Sequence, residues 1–345
     1  TVIVNKGLFQ MILIPNSKYR RSIFFIFCLA TLNCVAIHSS QAEAYIKIAS
    51  FNIAEFGEGD HSSTRDLVFI ADMLVSHQLD LIALQEIGID PQADFQLFAL
   101  VEEMNKKISA DAAKYYSFIT AASGDERYAV IFHAPVILED EILWLDDDKN
   151  PSNPGAGGKT FFRIPAAIPF SAGNFDFYIV ILHLAWGDLN RRQNEISALK
   201  EFLDIKVQED DWIVLGDMNR YGKYAKKSKN KAFDQLLVGN WQNRYRFPLL
   251  EAISEPDDMK IFLANSDSES TTVHHTKNIY DQIILTVGAN YEFETSSPIF
   301  NDHVGIIPFD QAPQFSSLDH NTIKYRVSEH RPIWIRMRID KPDDD

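Results

Sequence analysis

Five short stretches each place an acid, an amide or a histidine at the end of an apolar run. They are Phe51-Asn52, Leu84-Gln85-Glu86, Leu182-His183, Leu215-Gly216-Asp217-Met218-Asn219 and Ser328-Glu329-His330. A strand leaving a hydrophobic core holds its last side chain rigidly. Several such ends converging fix carboxylates, amides and imidazoles around one point. Carboxylate and amide oxygens are hard donors that suit a divalent cation such as Mg²⁺, and two imidazoles move protons near neutral pH. The chemistry this inventory points to is metal-assisted hydrolysis of a phosphate ester.

The elements that must position these groups follow from periodicity. Ile46-Lys47-Ile48-Ala49 alternates into Phe51-Asn52-Ile53 and reads as a first strand. Leu67, Ile70, Ala71 and Leu74 keep helical spacing, with Ser63 as the expected cap. Leu79 to Leu84 is a fully apolar strand, and Phe95, Phe98, Val101 and Ile108 predict an amphipathic helix with those residues inward. Further strands are expected at 115–120, 128–132, 161–170, 175–182, 212–215, 279–285 and 332–339, with a hairpin turn at Ser171-Ala172-Gly173-Asn174. Ile196, Leu199 and Leu203 form another helical stripe. Segment 146–159 reads as an exposed loop and 223–231 as a solvated, lysine-rich one. Strands mix with helices, and many strands are apolar on both faces. That predicts an α/β sandwich of two sheets under outer helices.

The chain has 345 residues, of which 46% are hydrophobic and 23% charged, an ordinary composition for one large globular domain. Its formal net charge of −15 argues against a protein that stays on nucleic acid by counterion release. Such a charge is compatible with an enzyme that touches a few phosphates and lets go. Residues 1–44 read as upstream residues and a cleavable secretory signal. Lys18, Arg20 and Arg21 precede an apolar run from Ser22 to Ile37, and Ala42-Glu43-Ala44 is a small-x-small cleavage site. Both cysteines, Cys28 and Cys34, lie within that segment. The remainder is expected to divide into one domain, 45–340, and an acidic tail, 341–345, with stability resting on its core rather than on disulfides.

The same stretches carry a resemblance. Ile46-Lys47-Ile48-Ala49-Ser50-Phe51-Asn52-Ile53 leads to Phe56-Gly57-Glu58, then Gln85-Glu86, Glu126-Arg127-Tyr128 and Arg163-Ile164-Pro165-Ala166. His183, Gly216-Asp217-Met218-Asn219, Tyr280-Asp281-Gln282-Ile283 and Ser328-Glu329-His330-Arg331-Pro332 complete the order. Each motif alone is weak. In this order they resemble the endonuclease/exonuclease/phosphatase superfamily, and within it the secreted deoxyribonucleases. The resemblance implies a four-layer sandwich of two packed mixed β-sheets flanked by helices. It further implies His183 and His330 as catalytic imidazoles, oriented by Glu126 and Asp281, with Asp217 positioning the attacking water. Glu86, Asn52 and Glu329 fall in the implied set around Mg²⁺ or Mn²⁺, and Asn219, Arg163 and Thr276 in the set facing substrate phosphate.

Four positions depart from the family pattern. Residue 329 is Glu where the family has Asp. Gly88 stands where the secreted deoxyribonucleases carry a groove-entering arginine, and Gly124 where they carry a sugar-stacking tyrosine. Ser270 replaces an acid of a structural calcium loop, so Ca²⁺ is not supported. The expected function is therefore a secreted endonuclease acting on DNA as a monomer, without stable membrane association once the leader is removed. A sphingomyelinase-like phospholipid phosphodiesterase, a phosphatase on the same core and a nuclease toxin subunit are the rival readings.

Overall fold

A computed structural model describes residues 44–342 apart from 60–63, 140–141, 146–159, 207–210, 220–244, 254–270, 274–278, 294, 296–297, 300 and 316. The expected leader, the Ser63 cap, the 146–159 and 223–231 loops, Ser270, Thr276 and the last three residues of the acidic tail lie outside the described residues.

Two mixed sheets pack face to face. In the first, β1 (Tyr45–Phe56), β2 (Leu81–Ile87), β3 (Tyr116–Ile119), β4 (Arg127–Phe132), β12 (Val304–Ile306) and β13 (Ile333–Arg338) run in the order β12-β13-β1-β2-β4-β3. In the second, β5 (Ile137–Leu138), β7 (Ala166–Ala172), β8 (Phe175–His183), β9 (Trp212–Asp217), β10 (Tyr245–Arg246) and β11 (Asp281–Thr286) run β10-β11-β9-β8-β7-β5, with β6 (Leu143–Trp144) on β7. Each sheet has one parallel pair at its centre, β1 with β2 and β8 with β9, and antiparallel neighbours elsewhere. The C-terminal ends of the parallel pairs and the N-terminal ends of their antiparallel neighbours therefore share one edge of the sandwich. That edge carries Asn52, Glu86, His183 and Asp217 from the first kind of end, and Glu126, Asp281 and His330 from or just before the second.

Strand alternation decides which side chains reach the space between the sheets. In β1, Ile46 and Ile48 enter the inter-sheet core, while Ala49, Phe51 and Ile53 face the helices. Asn52 shares the parity of Ile46 and Ile48 and so points between the sheets. In β2, Leu81 and Ala83 face the inter-sheet core and Ile82 and Leu84 the helices. Alternation would send Glu86 to the helix side. Instead its φ is 60° and the register with β4 shifts between Leu84 and Ile87, so that Ile87 takes the helix-facing place. This local break turns Glu86 toward the site. Non-glycine residues rarely adopt such a φ, and those that do concentrate at functional sites.

Helices α1 (Leu67–Ser76) and α2 (Pro91–Lys107) cover the first sheet, and Ile196, Leu199 and Leu203 of α3 (Leu189–Lys206) pack into the core beside the second. The N-cap of α1 is Asp66, whose carboxylate accepts from Phe69 N at 3.1 Å. The inward face of α2 is Ala93, Leu97, Leu100, Val101 and Met104, whereas Phe95 and Phe98 are exposed. The expected orientation of those two aromatics is thus corrected. The stripe that packs starts two residues earlier, and small Ala93 sits so close to Gly57 that a Cβ there would lie 2.2 Å from its Cα. Gly216 meets a similar demand in β9. Its φ is 142°, and a Cβ would lie 2.0 Å from the Leu182 carbonyl, so only glycine lets β9 approach β8 at the site. Short elements α4 (Pro248–Ile253), α5 (Val287–Phe293) and α6 (His320–Arg326) complete the frame. No described helix is long and apolar enough to cross a membrane.

Candidate active site

Two histidine–carboxylate pairs dominate the open edge. His183, the last residue of β8, donates from Nδ1 to Glu126, 2.9 Å to Oε2 and 3.0 Å to Oε1. His330 donates from Nδ1 to Asp281 Oδ2 at 2.9 Å. Such a bond fixes the tautomer and leaves Nε2 for chemistry. Both Nε2 atoms face the same carboxylate: Asp217 Oδ2 lies 3.7 Å from His183 and 3.6 Å from His330. Each pair spans the sandwich. His183 comes from the second sheet and Glu126 from the turn before β4 of the first, while His330 precedes β13 of the first and Asp281 opens β11 of the second.

The surrounding hydrogen bonds hold these groups still. Asp217 Oδ1 accepts from Asn219 N at 2.7 Å, and Asn219 donates its side-chain amide to the Leu184 carbonyl at 2.8 Å. Ser328 ties its Oγ to the Asn52 carbonyl at 2.7 Å and accepts from His330 N at 2.9 Å, fastening the His330 segment to the end of β1. Asn52 donates its amide nitrogen to Glu86 Oε1 at 2.8 Å and to Asp217 Oδ2 at 3.2 Å, while its oxygen accepts from Ala54 N at 3.0 Å. The amide therefore aligns two carboxylates rather than turning an oxygen outward.

Burial shapes the charges. Desolvation works against a protonated His183, but the Glu126 carboxylate and then Asp217 outweigh it and push His183 up to about 9. His330, opposed by the same burial, is carried up to about 10 by Asp281 and Asp217. For Glu86, burial is outweighed by His183, His330 and the bonds from Asn52 and Glu55, which bring it down to about 2. Asp217 is held above the ordinary carboxylate range by burial, against the pull of both imidazoles.

The sign for stability follows. A folded-state pKa raised above the unfolded value means that the folded chain holds the extra proton. This contribution is full below pH 6.5 and fades as pH rises through about 9 and 10. In chelator, the melting temperature is expected to fall between pH 7 and 10, and the fall is expected to be shallower in a His330→Asn variant. Equal slopes in the two proteins by calorimetry would refute the assignment.

Glu86, Glu126, Arg163, His183 and Asp217 line one cavity of about 680 Å³, together with Asn219, Glu329 and His330. Asn52 and Asp281 stand behind it. Two expected site residues are found already engaged. Arg163 Nε pairs with Asp125 at 2.9 Å and with Glu126 at 3.0 Å, so it braces the carboxylate that orients His183. Glu329 meets Lys324 at 2.8 Å and His320 at 3.6 Å, and Lys324 also meets Glu55 at 3.0 Å. The extra methylene of Glu over Asp lets residue 329 reach α6.

The donor set fits a hard divalent cation. Glu86 is an ionised carboxylate with both oxygens aimed by N–H donors, Asn52 and Glu55 N at 2.9 Å. Donor atoms of Asp217, Asp281 and His330 lie within 4.8 Å of one another, and Asp281 Oδ1 is buried without a hydrogen-bond partner. Both nitrogens of His330 already face carboxylates, so oxygen ligands around Glu86 are the better cation site.

The sequence pattern missed Glu195, Arg192 and Trp186. Glu195 is fully buried on α3 and accepts from Phe162 N at 2.9 Å and Ala185 N at 2.8 Å. Arg192 and Glu195 continue the Ile196-Leu199-Leu203 stripe toward its N-terminus, and that continuation was the available signal.

A two-sheet sandwich with paired imidazoles and acids at one edge is the architecture of a phosphodiester hydrolase. The family model for the Endonuclease/Exonuclease/phosphatase family matches residues 49–340, and the chain belongs to that divalent-metal-dependent family. Deoxyribonuclease-1 of Oryctolagus cuniculus is 25% identical over 311 residues, covering 86% of this chain and 94% of that protein. Among solved structures, an endonuclease/exonuclease/phosphatase family protein of Bacteroides thetaiotaomicron superposes with a TM-score of 0.56 at 15% identity, covering 87% of this chain and all of the other. A mannosyl-6-phosphatase of the same species gives 0.52 at 16% identity, covering 84% and 98%.

Proposed function

We propose that the protein is a secreted, metal-dependent endonuclease that cuts DNA with little sequence preference and leaves 5′-phosphate and 3′-hydroxyl ends. The observation that carries this reading is the pair of His–carboxylate couples facing Asp217 beside Glu86. Relatedness to deoxyribonuclease-1 over nearly its whole length supports DNA as the substrate. The order of basic residues, apolar run and Ala42-Glu43-Ala44 supports secretion.

Glu86, with Glu329 of the same cavity lining, would hold Mg²⁺ or Mn²⁺, which when bound would neutralise charge gathering on the phosphoryl oxygens. The remaining work falls to the side chains. Asp217 and Asn219 place the water and the phosphate. Asp217, held above the ordinary carboxylate range, or an imidazole in its neutral form takes the water's proton, and a protonated imidazole gives one from Nε2 to the leaving oxygen. Each transfer contributes roughly 10²–10⁴-fold. Little on the described surface is built to grip a duplex beside the site. A Cβ at Gly88 would lie 2.5 Å from Glu58 Cγ, and one at Gly124, where φ is +67°, would lie 2.7 Å from the Phe162 carbonyl.

The test is a panel of plasmid DNA, single-stranded DNA, RNA, sphingomyelin and a phosphomonoester, each with Mg²⁺, Mn²⁺ or excess EDTA. Nicking and strand cutting with either metal, abolished by EDTA, is expected. Undiminished cleavage in EDTA would remove the metal role. Turnover of the phosphomonoester alone would favour the second reading, a phosphatase, which the acidic cavity and the fold shared with a mannosyl-6-phosphatase support.

A further inference from the structure

Trp186 lines the cavity and is 78% exposed, more than any other large apolar side chain among the described residues. An indole so exposed contributes little to the core, so packing does not explain it. Its backbone, by contrast, is anchored on both sides. Leu184 N donates to the Asp217 carbonyl at 2.9 Å, Ala185 N to buried Glu195 at 2.8 Å, and Arg192 donates to the Ala185 carbonyl at 3.0 Å. Asp188 then caps α3 by accepting from Asn190 N and Arg191 N, each at 3.0 Å. The other Glu195 oxygen accepts from Phe162 N, next to Arg163, so one buried carboxylate sets two walls of the cavity. A large aromatic side chain thus springs from anchored backbone beside the reacting groups.

The cavity's long cations are already committed. Arg163 is paired with Asp125 and Glu126, and Lys324 lies between Glu55 and Glu329. With a net charge of −15, affinity for a phosphate backbone by counterion release is weak. Stacking of a base on an aromatic face does not depend on charge, but the base must be out of its helix.

We propose that Trp186 is a stacking platform for an unpaired nucleobase flanking the cleaved bond, which directs the enzyme to single-stranded or locally opened DNA. This rests on the nucleic-acid reading above. Glu195 and Arg192 act as positioning residues that hold the backbone from which the platform rises.

The experiment compares a single-stranded oligonucleotide with one of equal length and phosphate count whose nucleotides flanking the cleaved bond are abasic. The wild type is expected to show a KM about 5- to 160-fold lower for the base-bearing strand, the range that stacking of one base supplies. Trp186→Ala closes that gap, chiefly through KM, and Trp186→Phe restores most of it. A gap that survives Trp186→Ala, or equal losses on both strands, overturns the platform while leaving the nuclease reading intact. A wild type that cuts neither strand yet hydrolyses a hexose 6-phosphate overturns the nuclease reading itself, and the platform with it.

Discussion

His330→Asn loses at least about 10²-fold in turnover while remaining folded. The asparagine amide stands close to where Nδ1 was and keeps a donor on Asp281, which His330 now meets at 2.9 Å. What disappears is Nε2, the atom facing Asp217. Alanine is the poorer probe, because it strands a fully buried Asp281 carboxylate, and breaking a buried pair costs about 3–5 kcal/mol. Circular dichroism melts and steady-state kinetics on one preparation check the prediction. A folded His330→Asn protein retaining more than about a tenth of wild-type turnover would take His330 out of the chemistry. Joined to His183→Asn, the losses should multiply to less than their product, since the two imidazoles serve one transfer sequence.

Glu86→Gln is expected to cost as much, through the cation rather than the proton. The shape is kept and the charge is lost. The new amide also sets a nitrogen against one of two donors that now converge on the carboxylate, the Asn52 amide and Glu55 N. Mn²⁺ affinity by calorimetry should fall at least about 10-fold, with activity partly recovered at high metal concentration. Unchanged affinity would place the cation elsewhere, with the cluster of Asp217, Asp281 and His330 the first alternative.

The readable part of this site was the part written in strand alternation. Asn52 follows Ile46 and Ile48 into the space between the sheets, and His183 and Asp217 end strands whose apolar runs announce them. Glu86 was recognisable as a strand end, but its direction depends on a positive φ that no periodicity encodes. The same limit explains α2, where counting aromatics placed Phe95 and Phe98 inward although smaller Ala93, Leu97 and Leu100 make the contact. The partners of Arg163 and Glu329 come from elements distant in sequence. Nothing local to either residue names Asp125 or Lys324. Glu195 was hidden differently, as a charge inside a helical stripe whose apolar members drew all the notice.

The two imidazole–carboxylate pairs join residues 57 and 49 positions apart, and each pair takes one member from each sheet. Neither half of the sandwich owns a complete set. A chain still emerging, still extended, or with its sheets formed but undocked has no working acid and no working base. Catalytic competence therefore requires the two sheets to be docked. For a hydrolase of this family, the architecture ties activity to completed folding: a polypeptide whose sheets have not met carries no assembled site.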